Sequence, residues 1–348
     1  MNTLTSSYDD RYPPRRLASE GQIAVTRGFL ACMALLTVVP LVGFPMLFGM
    51  VNPSLGPLSL RVIFVLLLVT GPIHVGSSAF FYADRDFKTL LQENRVRCLW
   101  SLGLLPAGLL GLGIFGVAAV GAWAVLGIFA FQYGWLFYHY QRQNFGLISL
   151  VSVHSGAGSL PRDVGVVLNV VALAGIVSIV GVPNLPPPQM AAMISHDAHI
   201  FMRWFSLALY VLSCGLLVRV FFMHARFRQD PWLAASLLLG WAFFLPAVAC
   251  DAPSTAFIPL AVAHGAQYLL MMTVMSGRSG RGWFGVALAG LLGTAIGCVL
   301  DRMTELPAFF AATGLVQVHF LLDAKVWRLR EPQQRAIISR RFDFLLAR

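Results

Sequence analysis

Runs of ~20 apolar residues recur along almost the whole of this chain, and each is long enough to cross a ~30 Å hydrocarbon core as a helix. So many such runs cannot be buried in one water-soluble core. Hydrophobic residues make up 57% of the 348 residues and charged ones only 11%, which excludes a soluble enzyme of this size. In a bilayer the backbone must satisfy its own hydrogen bonds, so only helices and closed barrels span. Period-two alternation of apolar and polar residues is absent, which excludes the barrel. The expected fold is all-α, a polytopic integral membrane helix bundle.

The apolar runs cover 27 to 49, 58 to 81, 98 to 118, 120 to 140, 163 to 182, 198 to 223, 232 to 250, 254 to 276, 282 to 300 and 305 to 325. That predicts ten transmembrane helices, with a tight turn near Gly121 between the third and fourth. Lys and Arg mark the cytoplasmic side of short loops. They gather in the N-terminal tail (Arg11, Arg15, Arg16, Arg27), then at Arg85, Lys88, Arg95 and Arg97, at Arg142 and Arg162, at Arg226 and Arg228, and at Arg278 and Arg281. They gather again after Lys325. The intervening loops are almost free of them. This alternation places both termini in the cytoplasm and divides the chain into a polar tail (1 to 26), a helical membrane domain (27 to 325) and a basic tail (326 to 348). No cleavable signal peptide is expected, because the first apolar run is long enough to remain as an anchor.

The net charge of +10 is then largely a record of topology, since basic residues sit where anionic lipid headgroups hold them. Membrane lipids are the expected partners. No basic cluster interleaved with aromatics indicates nucleic acid. The five cysteines (Cys32, Cys98, Cys214, Cys250, Cys298) form no CxxC pair and predict neither a disulfide framework nor a zinc site, only small apolar packing. Walker A, GxGxxG, HExxH and GxSxG strings are absent. Asp84 to Arg97 reads either as a short helix in the headgroup plane or as a solvated loop.

Chemistry is expected where the apolar runs break their own rule. His74, His139, His264 and His319 each fall inside or at the end of a separate run, and ionisable residues within a membrane are functional candidates by default. Each has polar neighbours on its own helical face: Ser77 and Ser78 after His74, Arg142 and Gln143 after His139, Gln267 and Tyr268 after His264, Asp323 after His319. Metal-binding histidines commonly donate their second N–H to such groups, which fixes the tautomer. Asp323, Tyr268 and Gln143 are therefore the candidates for orienting ligands or relaying protons. By helix rise to the nearest basic marker, His139 lies ~5 Å from Arg142, His319 ~9 Å from Lys325, His74 ~17 Å from Arg85 and His264 ~21 Å from Arg278. A single site must reconcile these depths.

SHDAH (195 to 199) offers His196 and His199 as a second-rank metal pair, although Ser195 or Asp197 also suits a helix N-cap. His154 and His224 read as solvated interface residues. Arg203, within one turn of His199, suits snorkelling at the rim, binding of an acidic headgroup, or pairing with an acid across the bundle; Asp251, Asp301 and Glu305 lie near the same side. The aromatic run 129 to 140 suits either an interfacial belt or the wall of a pocket for a flat apolar substrate.

With four dispersed imidazoles in a multi-span, nearly loopless chain, residues 58 to 325 resemble the Brp/Blh-type membrane carotenoid dioxygenases. That resemblance implies cleavage of a carotenoid by non-haem iron held by His74, His139, His264 and His319. The strings HYQRQNFG and HFLLDAKVW resemble signature motifs of a bacterial membrane family, which implies the bacterial inner membrane. The leading expectation is a histidine-ligated membrane metalloenzyme, a non-haem iron oxygenase on a lipid or isoprenoid substrate. Zinc would suit hydrolysis instead. Two other readings use the same imidazoles: a proton-coupled transporter with a histidine relay, and a haem-binding membrane protein.

Overall fold

The computed structural model describes residues 20–50, 69–92, 103–105, 107–109, 111, 117–181, 194–277, 290–291, 293, 295, 305–329 and 331–346. Every regular element among them is helical. The long helices are α1 (Glu20–Met50), α2 (Val117–His154), α3 (Arg162–Val180), α4 (His196–Met223), α5 (Pro231–Ala242), α6 (Ile258–Gly277) and α7 (Glu305–Val326), and α8 (Pro332–Arg341) follows near the C-terminus. Five stretches are long and apolar enough to cross a membrane: Glu20–Met46, Arg162–Val180, His196–Met223, Pro231–Ala249 and Ile258–Gly277. These fit a helical membrane protein and fall on five of the runs read from sequence. The run 282 to 300 lies mostly outside the described residues, as do more than half of 98 to 118 and the first part of 58 to 81.

Local chemistry sets the helix starts. Ser195 caps α4, its Oγ accepting from Ala198 N (3.2 Å), so of the two candidate caps Ser195 serves. Asp230 caps α5 by accepting from Trp232 N (2.9 Å) and Leu233 N (3.1 Å), with Pro231 in the first turn where its missing N–H costs nothing. Gly121 has φ 69°, the left-handed region, and breaks the backbone where the tight turn was expected. From there α2 continues to His154, well past the boundary drawn at 140. Arg142 therefore does not mark a loop. It is exposed on the helix with its guanidinium 5.0 Å from the Phe145 ring.

Helices approach closely where side chains are small, as membrane packing requires. Gly240 of α5 leaves room for Ile148 of α2, and Gly175 of α3 for Phe244. Large side chains on α4, including Phe201, Trp204 and Phe222, face outward. Cys32 is exposed on α1, so the expectation of buried packing fails there.

The segments read as a headgroup helix and a basic tail meet beneath the bundle. Arg85–Gln92 is helical and buries Phe87, Leu90 and Leu91, its one apolar stripe, in the same core as Ile337, Ile338, Phe342 and Leu345. Arg341 donates to Asp84 (2.9 Å) and Asp86 (3.1 Å). Thr26 Oγ1 donates to the carbonyl of Phe344 (2.7 Å), and His154 Nδ1–H to that of Leu345 (3.1 Å). His154 is thus a tether between α2 and the C-terminal segment, where the sequence suggested a solvated residue. His224 likewise pairs with Asp163 (2.8 Å).

Candidate metal centre

His74 is carried by an irregularity. Residues Val69–Ile73 form a π-helical turn containing Gly71 and Pro72, and His74 opens the short helix that follows. Proline lacks an N–H and breaks the regular ladder, and such turns are frequent at functional sites. The turn is pressed against α6 at Gly265, where an added Cβ would collide with the backbone of Thr70. Gly265 adjoins His264 in sequence, so the same close approach brings His74 and His264 together.

The other imidazoles come from regular helices: His139 from α2, His264 from α6 and His319 from α7. All four rings converge. Ring centroids stand 4.7 Å apart for His74 and His319, 5.0 Å for His74 and His264, and 5.1 Å from His139 to both His264 and His319. His74, His264 and His319 are buried, and His139 is largely so. Convergence despite the spread of sequence depths has a structural cause. Helix α2 runs on to His154, so Arg142 stands in mid-helix and is a poor depth marker for His139.

Tautomers follow from the partners. The carbonyl of Gly71 can only accept, so His74 donates through Nδ1 (3.1 Å) and presents a lone pair at Nε2. That Nε2 lies 3.1 Å from Nε2 of His319. On its other side His319 Nδ1 lies 2.6 Å from Ser78 Oγ, Ser78 lies 3.1 Å from Tyr268 OH, and Tyr268 donates to Asp323 Oδ1 (2.8 Å). The second oxygen of Asp323 is 3.7 Å from Nε2 of both His139 and His319.

What the imidazoles lack is as informative as what they bond. His139 Nε2 and both nitrogens of His264 are buried without a hydrogen-bond partner, as is Gln143 Oε1. Buried polar atoms normally find partners, and each orphan costs about 1–3 kcal/mol. Here three orphaned nitrogens and a facing Nε2 pair share one apolar enclosure, with Tyr140 stacked 4.1 Å from His264 and Phe320 4.2 Å from His139.

The buried group His74, His264 and His319 could hold a metal ion, each offering one ligand atom within 4.8 Å of the others. His139, His319 and Asp323 form a second such group sharing His319. The fit is good on two counts. The donors are neutral imidazoles and a carboxylate, suited to iron or zinc. Two nitrogens each ~2.0–2.1 Å from one ion stand ~2.8–3.4 Å apart between right-angled and tetrahedral geometry, a range that includes the His74–His319 separation.

Of the other candidates, Tyr268 and Asp323 join the cluster directly. Gln143 is one step removed: its Nε2 donates to Gln267 Oε1 (3.2 Å) and weakly to the carbonyl of His264 (3.4 Å), and Gln267 donates to Thr37 (2.6 Å). His196 and His199 belong to neither group, and His199 Nδ1–H donates to the carbonyl of Gly181 (2.9 Å). Sequence reasoning gave Ser78 to His74, its neighbour one turn back; its partners are His319 and Tyr268. It also passed over the buried pair in which Gln317 donates to Gln132 (2.6 Å). A polar residue two turns before His139 on the same face was the available signal.

No family model, curated protein or solved structure matches this chain.

Proposed function

We propose that the chain is an integral membrane metalloenzyme, a non-haem iron oxygenase acting on a lipid or an isoprenoid such as a carotenoid, as its resemblance to the Brp/Blh-type dioxygenases implies. In this reading it has ten spans, both termini in the cytoplasm, and resides in a bacterial inner membrane. The observation that carries it is the pair of imidazole Nε2 atoms 3.1 Å apart beside three unpartnered nitrogens of His139 and His264. Imidazoles spent on helix packing alone would each have a partner, as His199 does.

Iron at this position would bind and activate dioxygen. The four histidines would hold it, with Asp323 close enough to add a carboxylate or to accept a proton. Tyr268 fixes the carboxylate by donating to Oδ1. Tyr140 and Phe320, packed on His264 and His139, keep water from the rings and give an apolar substrate a matching wall. Metal analysis of the purified protein tests the proposal: about one equivalent of iron in the native chain, lost when any one of His74, His264 or His319 becomes Ala. Full occupancy in all three variants removes it.

A proton-coupled carrier is the second reading. It is favoured by the unbroken contact chain His319, Ser78, Tyr268, Asp323 and by the helix break at Gly71–Pro72. Substrate flux in proteoliposomes that follows a pH gradient and ignores chelators would establish it over the enzyme. Haem is disfavoured, since rings with centroids 4.7–5.1 Å apart leave no room for a porphyrin plane between them.

A further inference from the structure

We propose that Ser78 is a positioning residue, the link through which Tyr268 and Asp323 fix His319 as a ligand through Nε2; the proposal rests on the metal-centre reading above. The argument is a count of protons across three contacts: His319 Nδ1 to Ser78 Oγ (2.6 Å), Ser78 Oγ to Tyr268 OH (3.1 Å) and Tyr268 OH to Asp323 Oδ1 (2.8 Å). A carboxylate only accepts, so the single proton of Tyr268 is committed to Asp323. Tyr268 therefore cannot donate to Ser78, and the Ser78 hydroxyl has two choices.

If Ser78 donates to His319 Nδ1, then His319 carries its proton on Nε2 and donates it to the lone pair of His74. The Ser78–Tyr268 contact is left without a proton. If Ser78 instead donates to Tyr268, its oxygen accepts from His319 Nδ1–H and every contact in the chain carries one proton. His319 then presents a lone pair at Nε2 towards the lone pair of His74, 3.1 Å away. Two facing lone pairs at that distance repel unless a cation lies between them. Both arrangements hold the same number of protons. They differ in the tautomer of His319 and the direction of one hydroxyl, so binding a cation and turning Ser78 are a single event. The extended carboxylate–tyrosine–serine–histidine chain then does what a carboxylate does when it accepts directly from a metal-bound imidazole.

Ser78 is buried at 3% exposure and lies one turn beyond His74, so a hydroxyl there is shielded from competing water. Removing it leaves His319 Nδ1–H with no acceptor in the ligand tautomer. That tautomer is then disfavoured.

The test uses the full-length protein in detergent with Co(II) as probe, read by chelator competition and by the visible ligand-field bands. Ser78→Ala should weaken Co(II) binding by about 10–100-fold and shift the bands. Ser78→Thr, which keeps the hydroxyl, should restore both. Tyr268→Phe should weaken binding as well, and Ser78→Ala combined with Tyr268→Phe should be no weaker than Ser78→Ala alone, because the chain is already cut. Native affinity and bands in Ser78→Ala, or additive losses in the double variant, would overturn the role of Ser78 while leaving the metal centre standing. If Ser78→Ala does not fold, failure of Ser78→Thr to bind Co(II) more tightly than Tyr268→Phe overturns it equally. Identical Co(II) binding by the native chain and His74→Ala would overturn the metal centre itself.

Discussion

Arg203 and the histidine cluster both set polar side chains among apolar helices, and they finish in opposite states. Arg203 donates through Nη1 to Ser178 Oγ (3.0 Å) and to the carbonyls of Ala247 (3.1 Å) and Cys250 (3.1 Å), while Nη2 pairs with Asp251 at 2.6 Å. Ser178 itself donates to Ala247 (2.5 Å), and Ser206 to Ala174 (2.8 Å). The sequence suggested rim snorkelling or an acid partner; the acid is there, and the rest of the guanidinium ties α3, α4 and the Leu245–Ala249 turn together. Around the histidines, by contrast, the partners run out. A fully bonded polar node needs nothing further, whereas a half-bonded one in an apolar setting is costly, and in the metal-centre reading an ion supplies what it lacks.

The sharpest way to break this contrast is at the unbonded node. His74→Ala or His319→Ala should abolish stoichiometric metal binding, read by elemental analysis, whereas Arg203→Ala should leave the metal content unchanged. Gly265→Ala comes next. Its methyl would drive the π-helical turn away from α6, costing about 1–3 kcal/mol as over-packing does and lowering metal content along with the unfolding temperature in detergent. Arg203→Ala should destabilise by about 1–3 kcal/mol through the carbonyls it orphans, seen as a lower unfolding temperature alone. Ser195→Ala should be mildest, about 1 kcal/mol for a lost cap, with metal unaffected. If Arg203→Ala stripped metal and His74→Ala did not, the two nodes would have been assigned the wrong way round.

Much of the architecture could be read from the chain because its signals are local. Apolar runs, the Ser195 cap and the Gly121 break each depend on a few neighbouring residues. The candidate ligands could be read too, because an imidazole in an apolar run is conspicuous wherever it falls. Their meeting could not, for two reasons. Arg142 imitates a loop marker although it stands in mid-helix, and the π-helical turn at Val69–Ile73 redirects His74 in a way that a regular helical wheel does not capture. Ser78 was hidden for a related cause: on a straight helix it belongs to His74, and only the packing of α6 and α7 gives it to Tyr268 and His319. The stretch 332 to 346 reads as part of a basic tail because its basic residues mask five apolar anchors, Ile337, Ile338, Phe342, Phe344 and Leu345.

The pairing of Asp84 with Arg341 spans 257 residues, and that of His74 with His319 spans 245. Neither can form while the C-terminal part of the chain is still inside the ribosome. Helices inserted early must wait in the bilayer with His74 unmatched, and segments made much later supply both His319 and the Arg341 partner of Asp84. In the metal-centre reading, loading then follows synthesis, and a chain stalled before α7 lacks His319 and with it the group that would hold the ion.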